Sequence, residues 1–126
     1  MDEVAPYRQS THGLRALIAL GLTAAFFEEE RARIPEIMES FKRAFSHIEE
    51  RFGVRVIGTL DDDETMIGPA STWPWTCYIL VDAPDRASVV EMCNVVRATD
   101  VGDGALWKYV KLEARIGRPL FFAEQQ

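Results

Sequence analysis

The chain has 126 residues, 48% hydrophobic and 27% charged, which suits one folded domain of about 100 to 150 residues and excludes a disordered or collagen-like protein and two independent catalytic domains. Twenty acidic against fourteen basic side chains give a formal charge of −6. That sign excludes a general phosphate-backbone binder, whose affinity comes from clustered Lys and Arg, so no nucleic-acid partner is expected.

Residues 1–13 lack any period and read as an N-terminal arm. From Leu14 to Thr23 the run LRALIALGLT is short, apolar and closed by Gly and Thr, the pattern of a strand buried on both faces. The wider apolar stretch Ala16 to Phe27 is shorter than the ~20 residues a membrane helix needs, so no membrane association is expected. After a loop or frayed turn through the EEE run, Pro35 marks the first turn of a helix. Ile34, Ile37, Met38, Phe41, Phe45, Ile48 and Phe52 recur at steps of three and four, predicting one amphipathic helix capped by Gly53. Val54 to Leu60 then alternates as a second strand, with Val54, Val56, Gly58 and Leu60 on one side.

The connection DDDETMIGPAST is long for a hairpin and is the place to look for a lid. Its acidic run does not spell an EF-hand, because Met66 stands where the turn needs Gly and Thr72 where Glu should close the loop. No metal is implied. A third strand, WPWTCYILV, becomes regular near Thr76, since Pro74 removes a backbone donor. Asp85 can cap a second helix, RASVVEMCNVVRA, and Gly102 and Gly104 break the chain after it. Trp107 to Ile116 reads as the last strand, with Val110, Leu112, Ala114 and Ile116 on one face and Trp107, Tyr109, Lys111, Glu113 and Arg115 on the other. Residues 117–126 form a short tail carrying Leu120, Phe121 and Phe122. Cys77 and Cys93 lack CxxC spacing and are expected as free thiols in a reducing, cytoplasmic setting.

The order β, α, β, β, α, β is the ferredoxin-like α+β arrangement, a four-stranded antiparallel sheet with two helices on one face. The opposite face would carry Trp107, Tyr109 and other apolar side chains, and exposed apolar area of that kind marks an interaction surface. A second copy of the sheet is the economical cover, with Lys111, Glu113 and Arg115 available for ion pairs between subunits.

Over residues 14–116 the chain resembles the dimeric α+β barrel superfamily, on the basis of its element order, the helix IPEIMESFKRAFSHIEERFG and the strand LWKYVKLEARIG. The resemblance implies a homodimer with a pocket between sheet and helices that receives an aromatic ligand, as in cofactor-free monooxygenases and isomerases. The WPW strand and the segment ARIGRPLFF also resemble small accessory proteins of aromatic-acid catabolism, including indole-3-acetate degradation. The superfamily also includes haem-binding enzymes, generally longer than this chain, and no cofactor is expected here.

Two constellations remain to be placed. Trp73, Trp75, Tyr78, Trp107 and Tyr109 are rings with polar handles, suited either to stacking on a flat ligand or to a dimer seam. In the ligand reading Trp73, Trp75 and Tyr78 hold the ring system and Tyr109 orients a carbonyl or hydroxyl. His47 and His12 are the only histidines and the obvious proton carriers near neutral pH. The glycine signatures of phosphate and dinucleotide loops and the serine-hydrolase elbow are missing. The sequence therefore leaves two classes open: a cofactor-free enzyme acting on a small aromatic molecule, and a non-catalytic accessory or binding protein.

Overall fold

The computed structural model describes residues 13–62, 67–68, 74–102 and 104–122. The order is β1 (Leu14–Leu22), α1 (Ala24–Glu28), a 3-10 turn at Arg31–Arg33, α2 (Ile34–Ala44), α3 (Ile48–Phe52), β2 (Arg55–Asp61) and β3 (Cys77–Ala83). There follow α4 (Arg86–Cys93), α5 (Val95–Ala98), the short strands β4 (Asp100–Val101) and β5 (Gly104–Ala105), a 3-10 turn at Leu106–Lys108, and β6 (Val110–Gly117). Four strands pair antiparallel in the order β2-β3-β1-β6, so the sheet has the ferredoxin-like topology.

The register assigns each side chain to a face. On the helix side, one row across the sheet is Val56, Val81, Ala16 and Ile116; the next is Thr59, Ile79, Ile18 and Ala114; the third is Asp61, Cys77, Leu20 and Leu112. Ala16, Ile18, Leu20 and Val81 are buried here, joined by Ile37, Ala44 and Ile48 from α2 and α3 and by Val89, Met92, Val95 and Val96 from α4 and α5. The opposite face has the rows Arg55, Asp82, Arg15; then Gly58, Leu80, Leu17, Arg115; then Leu60, Tyr78, Ala19, Glu113. β1 is thus core on its helix side, whereas Leu17 on the other side is partly exposed rather than buried as expected.

Local signals explain several boundaries. Pro35 lies in the first turn of α2, where its missing N–H costs nothing. Gly53 ends α3 at φ 68°, a left-handed value that glycine adopts without strain. Asp85 caps α4, its carboxylate accepting the backbone N–H of Ser88 at 2.9 Å.

Four expectations are corrected. The predicted long helix is two, α2 and α3, hinged at His47, which takes the left-handed conformation with φ 52°. Arg51 stabilises that joint by donating to the carbonyls of Ala44 and Ser46, each at 2.8 Å. The second predicted helix is likewise split at Asn94. In β2 a bulge between Val56 and Gly58 reverses parity, so Val56 faces the helices while Gly58 and Leu60 face away. The last strand begins at Val110, and the residues before it form a 3-10 turn, so Trp107 and Tyr109 do not share the face of Lys111. Tyr109 is buried among the helix-side core residues and Trp107 is 60% exposed.

Candidate functional site

Three strand ends converge beneath α2. β1 ends at Leu20, Gly21 and Leu22, still paired with β6, β3 begins beside it, and β2 ends at Asp61, opposite Cys77. Thr76 anchors the start of β3 by donating its backbone N–H to the carbonyl of Leu20 at 2.8 Å. Above these ends α2 presents Met38, Phe41 and Lys42, whose spacing of three and four puts them on one side of the helix. Between them lies a cleft of ≈ 460 Å³, within the range of small-molecule sites.

The cleft is oily on most of its wall and polar at a few points. Leu20, Leu22, Met38 and Phe41 supply the apolar lining, with Met38 half exposed at the mouth. Lys42, Asp61, Thr76 and Cys77 supply the polar groups. The Thr76 hydroxyl lies 3.8 Å from the Cys77 sulfur, a weak contact, and Cys77 is half-buried. Gly21 is needed where it stands, because a Cβ there would lie 2.5 Å from the carbonyl oxygen of Pro74. That close approach lets the segment before β3 pass over β1 toward the face away from the helices.

The residues singled out in the sequence occupy other places. Trp75 is half-buried on the side away from the helices, with the Lys111 ammonium 5.8 Å from its ring. Tyr78 directs its phenol proton at Asp62 Oδ2, 2.9 Å away, and the carbonyl oxygen of Trp75 is 3.1 Å from the same hydroxyl. Trp107 packs under the Arg97 guanidinium at 5.8 Å. Tyr109 donates its phenol proton to Glu29 Oε2 at 2.6 Å, so the group expected to orient a carbonyl is engaged with a carboxylate. None of these four rings lines the cleft, and Trp73 lies outside the described residues.

His47 stands at the joint between α2 and α3. Its side chain is largely exposed, with Nδ1 3.5 Å from Glu50 Oε1. It borders a second, more open recess of ≈ 470 Å³ with Phe45, Ile48, Glu49, Glu50 and Val56, not the cleft. His12 and most of the expected lid fall outside the described residues.

The buried carboxylate of Asp82 is paired with two arginines on the sheet face away from the helices. Asp82 accepts from Arg15 Nε at 2.8 Å and Nη2 at 3.2 Å, and from Arg55 Nη2 at 3.1 Å. The Arg15 hydrogen bonds hold the Asp82 carboxyl below its ordinary range, and Arg55 adds to the effect. The Tyr109 hydrogen bond likewise lowers Glu29, while burial pushes the Cys93 thiol up.

The lining of the cleft was not marked in the sequence as a site. Met38 and Phe41 read there as core stripe and Asp61 as part of an acidic connection; only the convergence of three strand ends under α2 turns them into one wall.

No family model and no curated protein matches the chain. Among solved structures, a protein of unknown function from Rhodopseudomonas palustris is similar at 22% identity and a TM-score of 0.51, over 85% of this chain and 82% of that one. A chlorite dismutase candidate is similar at 18% identity and a TM-score of 0.45, over 83% of this chain; the chain spans 42% of that protein. Together with the strand order, the first of these likenesses shows the fold, a ferredoxin-like α+β sandwich of a four-stranded antiparallel sheet with helices on one face.

Proposed function

We propose that this chain binds a small aromatic organic molecule in the cleft between α2 and the converging ends of β1, β2 and β3. The observation that carries the reading is the cleft itself: ≈ 460 Å³, walled mainly by Leu20, Leu22, Met38 and Phe41, with a few polar groups at its margin. A flat apolar molecule of one or two rings suits that volume and lining. Binding is favoured over turnover by where His47 and Tyr109 lie. His47 borders a different recess, and the Tyr109 phenol is held by Glu29. An accessory role in aromatic-acid catabolism, of the indole-3-acetate type, follows from the sequence resemblance of the WPW and ARIGRPLFF segments.

The second part of the reading is a cytoplasmic homodimer joined through the sheet face that carries Leu17, Leu60 and Leu80. Leu17 and Leu60 are exposed, at 37% and 59%, and charged side chains surround this band. Two copies meeting there would remove apolar surface from water and bring Lys111, Glu113 and Arg115 to a self-complementary seam.

Titration calorimetry of the full chain with indole-3-acetate and phenylacetate tests the cleft. Met38→Trp, a change at a half-exposed position, fills the opening and is expected to weaken binding at least tenfold. Absence of binding by every one- and two-ring aromatic probe at millimolar concentration, charged or neutral, or binding untouched by Met38→Trp, sinks the proposal. Light scattering on a sizing column tests the dimer: the native chain should elute as a pair and Leu17→Arg as a monomer.

A further inference from the structure

The cleft holds two opposite charges that the fold leaves unmatched. Lys42 comes from the last turn of α2, and Asp61 is the final residue of β2. Both line the same cleft, yet neither side chain makes an ion pair or a hydrogen bond with another described residue, and they do not approach each other within 4.0 Å. Elsewhere in the molecule carboxylates are matched where they matter to packing: Asp82 by Arg15 and Arg55, Glu29 by Tyr109, Glu49 by the backbone N–H of Val56. Lys42 and Asp61 thus stand out by position, one on each wall of an otherwise apolar opening.

Resting on the binding role proposed above, we infer that the ligand is a zwitterion, an apolar ring carrying both a carboxylate and a protonated amine in the manner of an aromatic α-amino acid. The reasoning is one of charge matching. A ligand with a carboxylate alone would meet Lys42 favourably and Asp61 unfavourably; one with an amine alone would do the reverse. A neutral ring would leave both groups to water. Only a molecule bearing both charges pairs with each, while its ring rests on Leu20, Met38 and Phe41. Lys42 and Asp61 are exposed, so each contact is a partly solvated ion pair, worth up to about fivefold in affinity.

The test uses ligands that share a ring and differ only in charge. Titration calorimetry of the full chain at neutral pH compares L-tryptophan, indole-3-propionate, tryptamine and 3-methylindole, with the matching phenyl series run in parallel. L-tryptophan or L-phenylalanine is expected to bind up to about fivefold tighter than the carboxylate or the amine of its series. Lys42→Gln should weaken the zwitterion and the carboxylate and leave the amine unharmed; Asp61→Asn should weaken the zwitterion and the amine and leave the carboxylate unharmed. Both positions are exposed, and circular dichroism of each variant confirms that the fold is retained. If a carboxylate or neutral ring binds as tightly as the zwitterion, or if neither substitution alters the ranking, the zwitterion inference is overturned while the aromatic cleft stands. If no member of either series binds, the cleft reading itself falls.

Discussion

Asp82 offers the most direct check on how charge is handled in the sheet. Its side chain is 5% exposed, and its partners differ: Arg15 is 18% exposed and Arg55 is 56% exposed. The two bonds from Arg15, at 2.8 and 3.2 Å, form a largely desolvated charge-assisted contact worth about 1.5 to 3 kcal/mol. The Arg55 contact is mostly solvated and adds about 0 to 1 kcal/mol. Asp82→Ala removes all three bonds and is expected to cost about 3 kcal/mol, a fall in Tm of roughly 10 °C for a chain of this size. Asp82→Asn keeps one acceptor oxygen and should cost about half as much. The pH dependence has a definite sign. Because the folded carboxyl titrates below its unfolded value of about 3.9, its contribution is complete above that pH and is lost as pH falls toward the folded value. Thermal melts followed by circular dichroism at pH 7 and across the acid range, at one fixed protein concentration, measure both effects. The native and Asp82→Asn curves should converge in acid. Equal stability at pH 7, or a gap of constant size at every pH, would refute this account of the contact.

Three other outcomes follow from the described geometry. Tyr109→Phe removes the bond to Glu29, whose carboxyl should rise toward its ordinary value; since the folded value is depressed, stability that is present above about pH 4.3 and lost in acid becomes less pH-dependent in the variant, read by carboxyl NMR and acid unfolding. Gly21→Ala drives a methyl to 2.5 Å from the Pro74 carbonyl oxygen, so the backbone must shift, at about 1 to 3 kcal/mol of stability in chemical denaturation. Ile37→Ala empties the centre of the helix-side core, where Ile37 is 0% exposed, and should cost about 2 to 5 kcal/mol; a loss under 1 kcal/mol would show that α2 does not pack as described.

How much of this was legible in the sequence depends on whether the determinant is local. Pro35, Gly53 and Asp85 act within a turn, and the boundaries they mark are where the sequence places them. The break between α2 and α3 was hidden because Phe41, Phe45, Ile48 and Phe52 keep their apolar spacing straight through the joint. At the start of β6 the alternation of Trp107, Tyr109 and Lys111 runs on through a 3-10 turn, so a period of two concealed a change in backbone. A single inserted residue near Ile57 reverses the faces of half of β2 without altering its composition. β4 and β5, two residues each, are too short to show any period. The cleft is the least local feature: Met38, Phe41 and Asp61 become neighbours only after the sheet has closed, and no spacing in the chain announces it.

The bulge in β2 has a further consequence, for how strands of separate molecules could meet. β2 and β6 are the outer strands, and an outer strand exposes backbone donors and acceptors on which another chain can build. In β2 that template is spoiled twice: the bulge between Val56 and Gly58 breaks its regular spacing, and the Val56 N–H is already given to Glu49 Oε2 at 2.8 Å. β6 carries Lys111, Glu113 and Arg115 along one side, which disfavours a growing ribbon there. Glu49 therefore takes one backbone donor on the β2 edge out of reach of a neighbouring chain.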